Sequence, residues 1–486
     1  MILKPIKLIP ILALFFFVCQ TSCGKKENLG TNTPGPVIDS FFPVSGMEGS
    51  VVTITGSNFS NDLTKNTVML GSTVVPQTTV SSDQLKVTIP KGIELGDYCF
   101  RVKVGGTTAV SLQSFSLMVK MDISDPEVMN YNYSMGTQTI GPSYGFTSED
   151  RLVESAKAIL EMGSNILKIS LATSSYNMTD RPKYSNLTAL IRDDPSFSKV
   201  LDMPFSYYFF WARSHSNWAD GYSASERTDD STQISDMTRY LLTKYNNSGK
   251  QFFVGHWEGD WYLLTNYDPT YIPSDTRING MIQWYRCRQN AVDEAIRITP
   301  HSNVDIFTYC EVNRVVDAMN GLKRVVNKVL PFTNVDYVSY SSYDAQNLGQ
   351  FYYNNVLNYI ESNLPNRPLI KGKRVFIGEM GTAANDLNSS KSQHESVNRE
   401  NLRKALSWGV PFVLYWEMFN NEVPNGVQRG FWLIDNTNEK WPLYITYQNF
   451  YTKAKYWVAS QKKTLNRLPK REEFLSWAYD ALGKSL

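Results

Sequence analysis

The chain has 486 residues, with 48 Lys and Arg against 46 Asp and Glu and a formal charge of +2. That length exceeds one ordinary small core, so a large domain with at least one smaller companion is expected. The near-neutral balance offers no basic field to hold a phosphate backbone, which argues against a nucleic-acid partner. Beyond Cys19 and Cys23, the cysteines are Cys99, Cys287 and Cys310, an odd set without metal-site spacing that implies no disulfide framework. Cys287 and Cys310 read better as buried free thiols than as a pair.

The first stretch, MILKPIKLIPILALFFFVCQTSCGKKEN, places Lys4 and Lys7 before an apolar run from Leu8 to Val18. The run is too short to span a bilayer and suits the apolar region of a secretory signal, so residues 1–22 are set apart from the fold. Thr21 and Ser22 precede Cys23, and this end resembles a bacterial lipoprotein lipobox, with Gln20 a departure at its first position and Cys19 the weaker acceptor. The resemblance implies lipidation of Cys23 and anchoring to the outer membrane; plain secretion with ordinary cleavage is the alternative. Lys25, Lys26 and Glu27 follow at once, and such a charged tract resembles surface-export signals of some Gram-negative lipoproteins. Loss of Lys4 and Lys7 takes the charge from +2 to about 0.

Residues 23–36 read as a tether, since NLGTNTPGP has no apolar periodicity and is rich in Gly, Pro, Thr and Asn. From 37 to 119 the texture is that of an all-β sandwich. Short runs such as VVTITG, NTVMLG, QLKVTIP, YCFRVKVGG and QSFSLMV are separated by Gly, Asn, Asp and Pro turn signals. PVIDSFFPVSGMEGSVVTITGSNF resembles the opening of IPT/TIG domains, immunoglobulin-like modules, with Pro43, Gly46, Gly49, Gly56, Asn58 and Phe59 in the family's places. The resemblance implies a spacer or a protein-contact module without chemistry of its own.

Residues 120–486 change again, to apolar runs alternating with helical segments. The strand candidates are MGTQTI, NILKISLA, FSYYFFWA, QFFVGHW, VDIFTYCE, VDYVSYSSY, RVFIGEMG and PFVLYWEMF, with stretches such as LVESAKAILEMG and ISDMTRYLLTKYNNSG between them. The alternation predicts a parallel sheet, and eight strands over more than three hundred residues fit a (β/α)₈ TIM barrel better than a doubly wound sheet. No glycine-rich phosphate loop follows the early strands, which counts against a nucleotide fold. In the first helix Thr147 or Ser148 is expected to cap, Leu152, Ala156, Ile159 and Leu160 share one face, and Gly163 is the stop.

Barrel enzymes carry their chemistry where strands end. Here strand four ends in HWEGDW with Glu258, strand five in YCEVN with Glu311, strand six in YSSY with Tyr340 and Tyr343, strand seven in GEMG with Glu379, and strand eight in YWEMFNNE with Trp416 and Glu417. Glycoside hydrolysis needs two carboxyl groups on one bond, one protonated and, in retaining enzymes, one ionised as nucleophile. Flat apolar rings suit the C–H faces of sugars, and Trp211, Trp218, Trp257, Trp261, Trp416 and Trp432 all lie at or near predicted strand ends. Tyr340 and Tyr343 are an odd number apart, so only one is expected to face the site. Glu417 and Glu422, just after strand eight, read as residues of a solvated loop, with substrate contact the alternative.

YLLTKYNNSGKQFFVGHWEGDW and RVFIGEMGT resemble the strand-four and strand-seven passages of clan A of the retaining glycoside hydrolases, and GFWLIDNTNEKWPLYITY resembles the passage that closes such barrels. The resemblance implies that Glu258 is the acid/base and Glu379 the nucleophile, with Tyr343 supporting Glu379 and Trp416 stacking on sugar. One departure stands out: most clan members carry asparagine directly before the acid/base, to bind the sugar 2-hydroxyl, and this chain carries Trp257. Asn313 and His256 are candidates for that lost contact, Trp257 and Trp261 for further sugar contacts, and Asp260 and Glu311 for the proton donor if Glu258 is not.

No H-E-x-x-H zinc motif occurs. The expectation is a retaining glycoside hydrolase at the cell surface, acting on a β-linked oligo- or polysaccharide without a cofactor and held to the membrane by its lipid. The alternative is a non-catalytic glycan-binding lipoprotein with a degenerate barrel.

Overall fold

The computed structural model describes residues 34–118, 121–213, 217–265 and 267–483. The signal segment, Cys19 and Cys23 lie outside them. The chain divides into two compact units, split after Lys120.

The first unit is a two-sheet immunoglobulin-like sandwich. One sheet runs in the order Val37–Phe42, Val51–Ser57, Gln84–Thr88, Gln77–Val80; the other runs Ser45–Gly46, Thr107–Leu117, Gly96–Val104, Asn66–Leu70, Thr73–Val74. Alternation drives it. Along Val51–Ser57 the side chains of Val52 and Ile54 turn inward and those of Val51 and Thr55 outward, and Val52, Ile54, Leu85, Val87, Val68 and Phe100 are fully buried between the sheets. Gly56 is required by close pairing, since a Cβ there would stand 1.9 Å from the carbonyl oxygen of Val37.

The second unit is a closed barrel of eight parallel strands: β1 (Met135–Thr139), β2 (Ile166–Ser170), β3 (Tyr207–Trp211), β4 (Gln251–Gly255), β5 (Asp305–Val312), β6 (Tyr337–Ser341), β7 (Val375–Met380) and β8 (Val413–Tyr415). Neighbours in sequence are neighbours in space, and β8 closes on β1 through Met135 opposite Val413. The (β/α)₈ architecture expected from the alternating runs is the one observed.

Helix Arg151–Met162 stops as expected at Gly163, which takes φ 105°, a left-handed conformation open to glycine. Its start differs from expectation. Asp150 is the cap residue, but its carboxylate is engaged by Arg181 and Ser196 instead of the helix N–H groups. Thr147 instead donates its hydroxyl to Glu154 at 2.9 Å, so the first turn is held from inside the helix.

Packing inside the barrel sets where a site can form. Ile166, Tyr207, Phe209, Phe253, Tyr309, Phe376, Phe412 and Leu414 form one continuous interior cluster, so the barrel is filled with rings below and leaves polar side chains only near the strand C-terminal ends. Phe209 is its centre: it stacks on Phe253 at 4.4 Å and meets Phe376 and Phe412, each at 5.0 Å. Phe209→Ala is expected to cost the barrel about 3–5 kcal/mol. All eleven tryptophans lie beyond residue 120, so tryptophan fluorescence during urea unfolding reports this unit alone and checks the loss.

Candidate active site

β4 ends at Gly255, and His256, Trp257 and Glu258 follow before the short helix Gly259–Leu263. Glu258 is held through its backbone. Its N–H donates to Glu311 Oε1 at 2.8 Å, tying the end of β4 to a carboxylate on β5. Glu311 Oε2 accepts from the Ser339 hydroxyl of β6 at 2.6 Å and from the Lys168 ammonium of β2 at 3.1 Å. Lys168 also reaches Glu379 Oε1 of β7 at 3.4 Å and the carbonyl oxygen of Gly378 at 3.0 Å. On its other oxygen, Glu379 accepts from the Tyr343 hydroxyl at 3.3 Å. A Cβ at Gly378 would fall 1.7 Å from Ser339 Oγ, so the glycine of GEMG makes room for the Ser339–Glu311 contact.

The chain of contacts thus runs Glu258, Glu311, Lys168, Glu379, Tyr343, across strands β4, β5, β2 and β7 and the turn after β6. Lys168 and Glu311 have fully buried side chains and that of Glu379 is 3% exposed, a dry setting in which each charge weighs far more than in water. Burial first, then the charges of Glu379 and Glu311, push the Glu258 carboxyl well above the ordinary carboxylate range; Lys168 and a hydrogen bond with Trp261 offset only part. Burial also raises Glu379, but there Lys168 opposes most strongly, ahead of the repulsion from Glu311, and Tyr343 adds its hydrogen bond. One lysine faces three carboxylates, and it touches two of them. Glu379 is still raised, to about 8, so burial favours the proton on both groups, and the lysine it touches makes Glu379 the member of the pair that ionises first.

A cavity of about 720 Å³ opens over this pair, with Glu258, Glu379, Tyr343 and Asn313 on its floor and Trp211, Trp257, Trp261 and Trp416 among its walls. Trp218 and Trp432 are placed elsewhere, contrary to their expected part in a groove. Trp218 stacks on Trp284 at 5.9 Å and Trp432 packs on Trp441 at 5.2 Å, each only 7% exposed. Trp257, in the asparagine position, meets Trp211 at 6.4 Å and Tyr262 at 5.9 Å. Asn313 accepts from the Asp260 N–H through Oδ1 at 3.1 Å, which leaves its NH₂ group for a ligand.

The other candidates do structural work. His256 is 1% exposed, with Nδ1 2.6 Å from the carbonyl oxygen of Trp257 and Nε2 on the Tyr285 hydroxyl. A carbonyl can only accept, so Nδ1 carries the hydrogen; burial lowers the imidazole to about 3 and keeps it neutral. Both nitrogens are spent, and the expected sugar contact is corrected to a packing role. Asp260 is fully buried and accepts the N–H groups of Asn313, Arg314 and Val325 at 3.0, 3.1 and 2.8 Å. It folds the loop after β5 and cannot reach a leaving group. Glu311, the second fallback donor, is consumed by its own three contacts. Tyr340 is fully buried, does not line the cavity, and donates its hydroxyl to Asp344. Glu417 is not in a solvated loop: it is fully buried, accepts from the Ile140 N–H at 2.9 Å, and burial raises it well above the usual range. Glu422 pairs with Arg429 at 3.0 Å.

Lys168 was missed at the level of sequence, although ILKIS carries its signal: a lysine inside a strand whose five positions are all buried must have a partner. Among the described residues no cluster of His, Cys, Asp and Glu is placed to hold a metal ion.

Comparison with known proteins gives a family for the first unit only. Residues 36–119 match the model of the IPT/TIG domain. A cyclomaltodextrin glucanotransferase of Niallia circulans is 30% identical over 131 residues, 22% of this chain and 18% of that protein; the chain thus matches less than a fifth of that relative's length. Among solved structures, a Bacteroides ovatus GH5 xyloglucanase in complex with an XXXG heptasaccharide is 9% identical, covers 90% of this chain and 98% of its own, and has a TM-score of 0.38. A Bacteroides uniformis β-glucuronidase is 12% identical, covers 85% of this chain and 51% of its own, and has a TM-score of 0.41. The chain is an IPT/TIG sandwich followed by a (β/α)₈ barrel.

Proposed function

We propose that the barrel is a retaining glycoside hydrolase acting on a β-linked oligo- or polysaccharide. The observation that supports this reading is the buried chain of contacts that sets Lys168 against Glu379 and not against Glu258, with both carboxyl groups lining one aromatic cavity. The Glu379 carboxylate attacks the anomeric carbon while the leaving oxygen takes the proton of Glu258. Glu258, now ionised, removes a proton from water, the water oxygen attacks the same carbon, and its bond to Glu379 breaks. Trp416 and Trp211 offer the flat surfaces for the sugar and Asn313 a donor for a hydroxyl. The β linkage comes from resemblance to clan A. In the same reading the chain sits at the cell envelope, held by lipid on Cys23, supported by the apolar run Leu8–Val18 and the Thr-Ser-Cys that follows it.

A second reading, a glycan-binding protein without turnover, is favoured by Trp257 in the asparagine position. The two part on kinetics. Glu379→Ala is expected to abolish hydrolysis of every substrate in a panel of β-glycans. Glu258→Ala should lower kcat about 10²–10⁴-fold on natural linkages and far less on aryl glycosides whose leaving group needs no proton, with azide restoring turnover. Binding without cleavage by the wild-type chain would decide for the second reading.

Lys168→Met tests the electrostatics. Removing the cation beside Glu379 disfavours its ionised form, so the acidic limb of the kcat/KM profile is expected to move up by about 1–3 pH units. An unmoved limb in a folded variant would assign the ionisation elsewhere.

A further inference from the structure

A second cavity, of about 560 Å³, adjoins the first and shares Trp211 and Trp257 with it as walls. Its lining differs in charge. It comes chiefly from the segments after β2, β3 and β4 and includes Lys183, Tyr184, Asn186, Arg213 and His256, but no aspartate or glutamate. The catalytic cavity, by contrast, is lined by Glu258, Glu379 and Glu422.

The cations of the two cavities are in different states. Arg314 and Arg429, on the catalytic side, are neutralised by Asp317 at 2.8 Å and Glu422 at 3.0 Å. Arg213 and Lys183 have no carboxylate within ion-pair distance among the described residues, and both are exposed. Arg213 is nonetheless held in place. Its guanidinium lies over the Tyr262 ring at 4.8 Å and donates one hydrogen bond, at 3.4 Å, to the Tyr262 hydroxyl. Stacking of this kind fixes the plane of the fork, and four of the five N–H donors remain for a ligand.

A neutral sugar offers hydroxyls, which such a cavity could bind with amides and serines alone. A pre-oriented, unpaired guanidinium beside a second unpaired cation fits an oxyanion better, since charge-assisted bonds are shorter and stronger than neutral ones. We propose that this cavity is a subsite for an anionic sugar unit, bearing a carboxylate or a sulfate ester, and that the substrate of the neighbouring site is an acidic glycan. The inference rests on the glycosidase reading and deepens it. The acidic unit neighbours the cleaved one and does not occupy its place, because the cations without a carboxylate partner among the described residues line the adjoining cavity, whereas Arg314 and Arg429 of the catalytic cavity are already neutralised.

The test uses oligosaccharides of one β-linked backbone in neutral, uronate-bearing, methyl-esterified and sulfated forms, with the wild-type chain, Arg213→Met, Arg213→Lys and Lys183→Met. For wild type, kcat/KM is expected to be about tenfold or more higher on an anionic form than on the neutral one, and the ratio should shrink with added sodium chloride. Arg213→Met should bring the ratio toward one, Arg213→Lys should restore part of it, and Lys183→Met should lower it. Preference for the free uronate over its methyl ester assigns a carboxylate; preference for the sulfated form assigns a sulfate ester. Equal rates on neutral and anionic forms, or a ratio indifferent to Arg213→Met, overturn the subsite while leaving hydrolysis intact. If nothing is cleaved, calorimetry separates the two ideas: anionic oligosaccharide binding that weakens with Arg213→Met keeps the subsite and rejects the hydrolase, and no binding rejects the subsite.

Discussion

The buried Lys168 ammonium is the constraint on which the site depends. It lies in the one polar layer of an otherwise ring-filled barrel, 3.1 Å from Glu311 and 3.4 Å from Glu379. Without it, two carboxylates would be buried without a cation, which costs several kcal/mol for each charge. With it, the layer holds one positive charge against three acids, so burial favours a proton among them. The acid that the lysine does not touch is the one that keeps that proton. The division of labour between Glu258 and Glu379 thus follows from where one cation sits.

Glu311 gives this layer its geometry. Because it accepts the backbone N–H of Glu258, the hydroxyl of Ser339 and the ammonium of Lys168, it joins β2, β4, β5 and β6 in one network. A fully satisfied buried polar network is rigid and specific, and this one places a carboxyl group through its main chain while leaving the side chain free to react. Asp260 does the same for the loop after β5, using three backbone N–H groups. Acidic residues near the site therefore serve two purposes: Glu311 and Asp260 are spent on backbone N–H groups and their neighbours, whereas Glu258 and Glu379 line the cavity.

Much of the architecture was legible in the chain. Period-two alternation marked the sandwich, and apolar runs separated by amphipathic helices marked the barrel, because both patterns reflect burial of backbone-paired strands. The site was legible only in part. Glu258 and Glu379 drew attention because they end apolar strands, and so did Asp260, Glu311, Glu417 and His256, which the structure gives other work. Strand ends gather polar residues for two reasons, chemistry and the folding of the loops that follow, and linear order does not distinguish them. The tryptophans behave alike: Trp211, Trp257, Trp261 and Trp416 face the cavity, whereas Trp218 and Trp432 find aromatic partners under loops.

By itself the sequence determined the order of elements, the two-unit organisation and the set of residues able to carry acid–base chemistry, since these depend on local periodicity and on residue type. Tertiary structure alone decided which carboxylate meets Lys168, which is spent on backbone N–H groups, and which cations beside the cavity have no carboxylate partner among the described residues. Those outcomes rest on contacts between residues as far apart as Lys168 and Glu379. They are set by barrel closure and register, and neither leaves a trace in the spacing of residues along one strand.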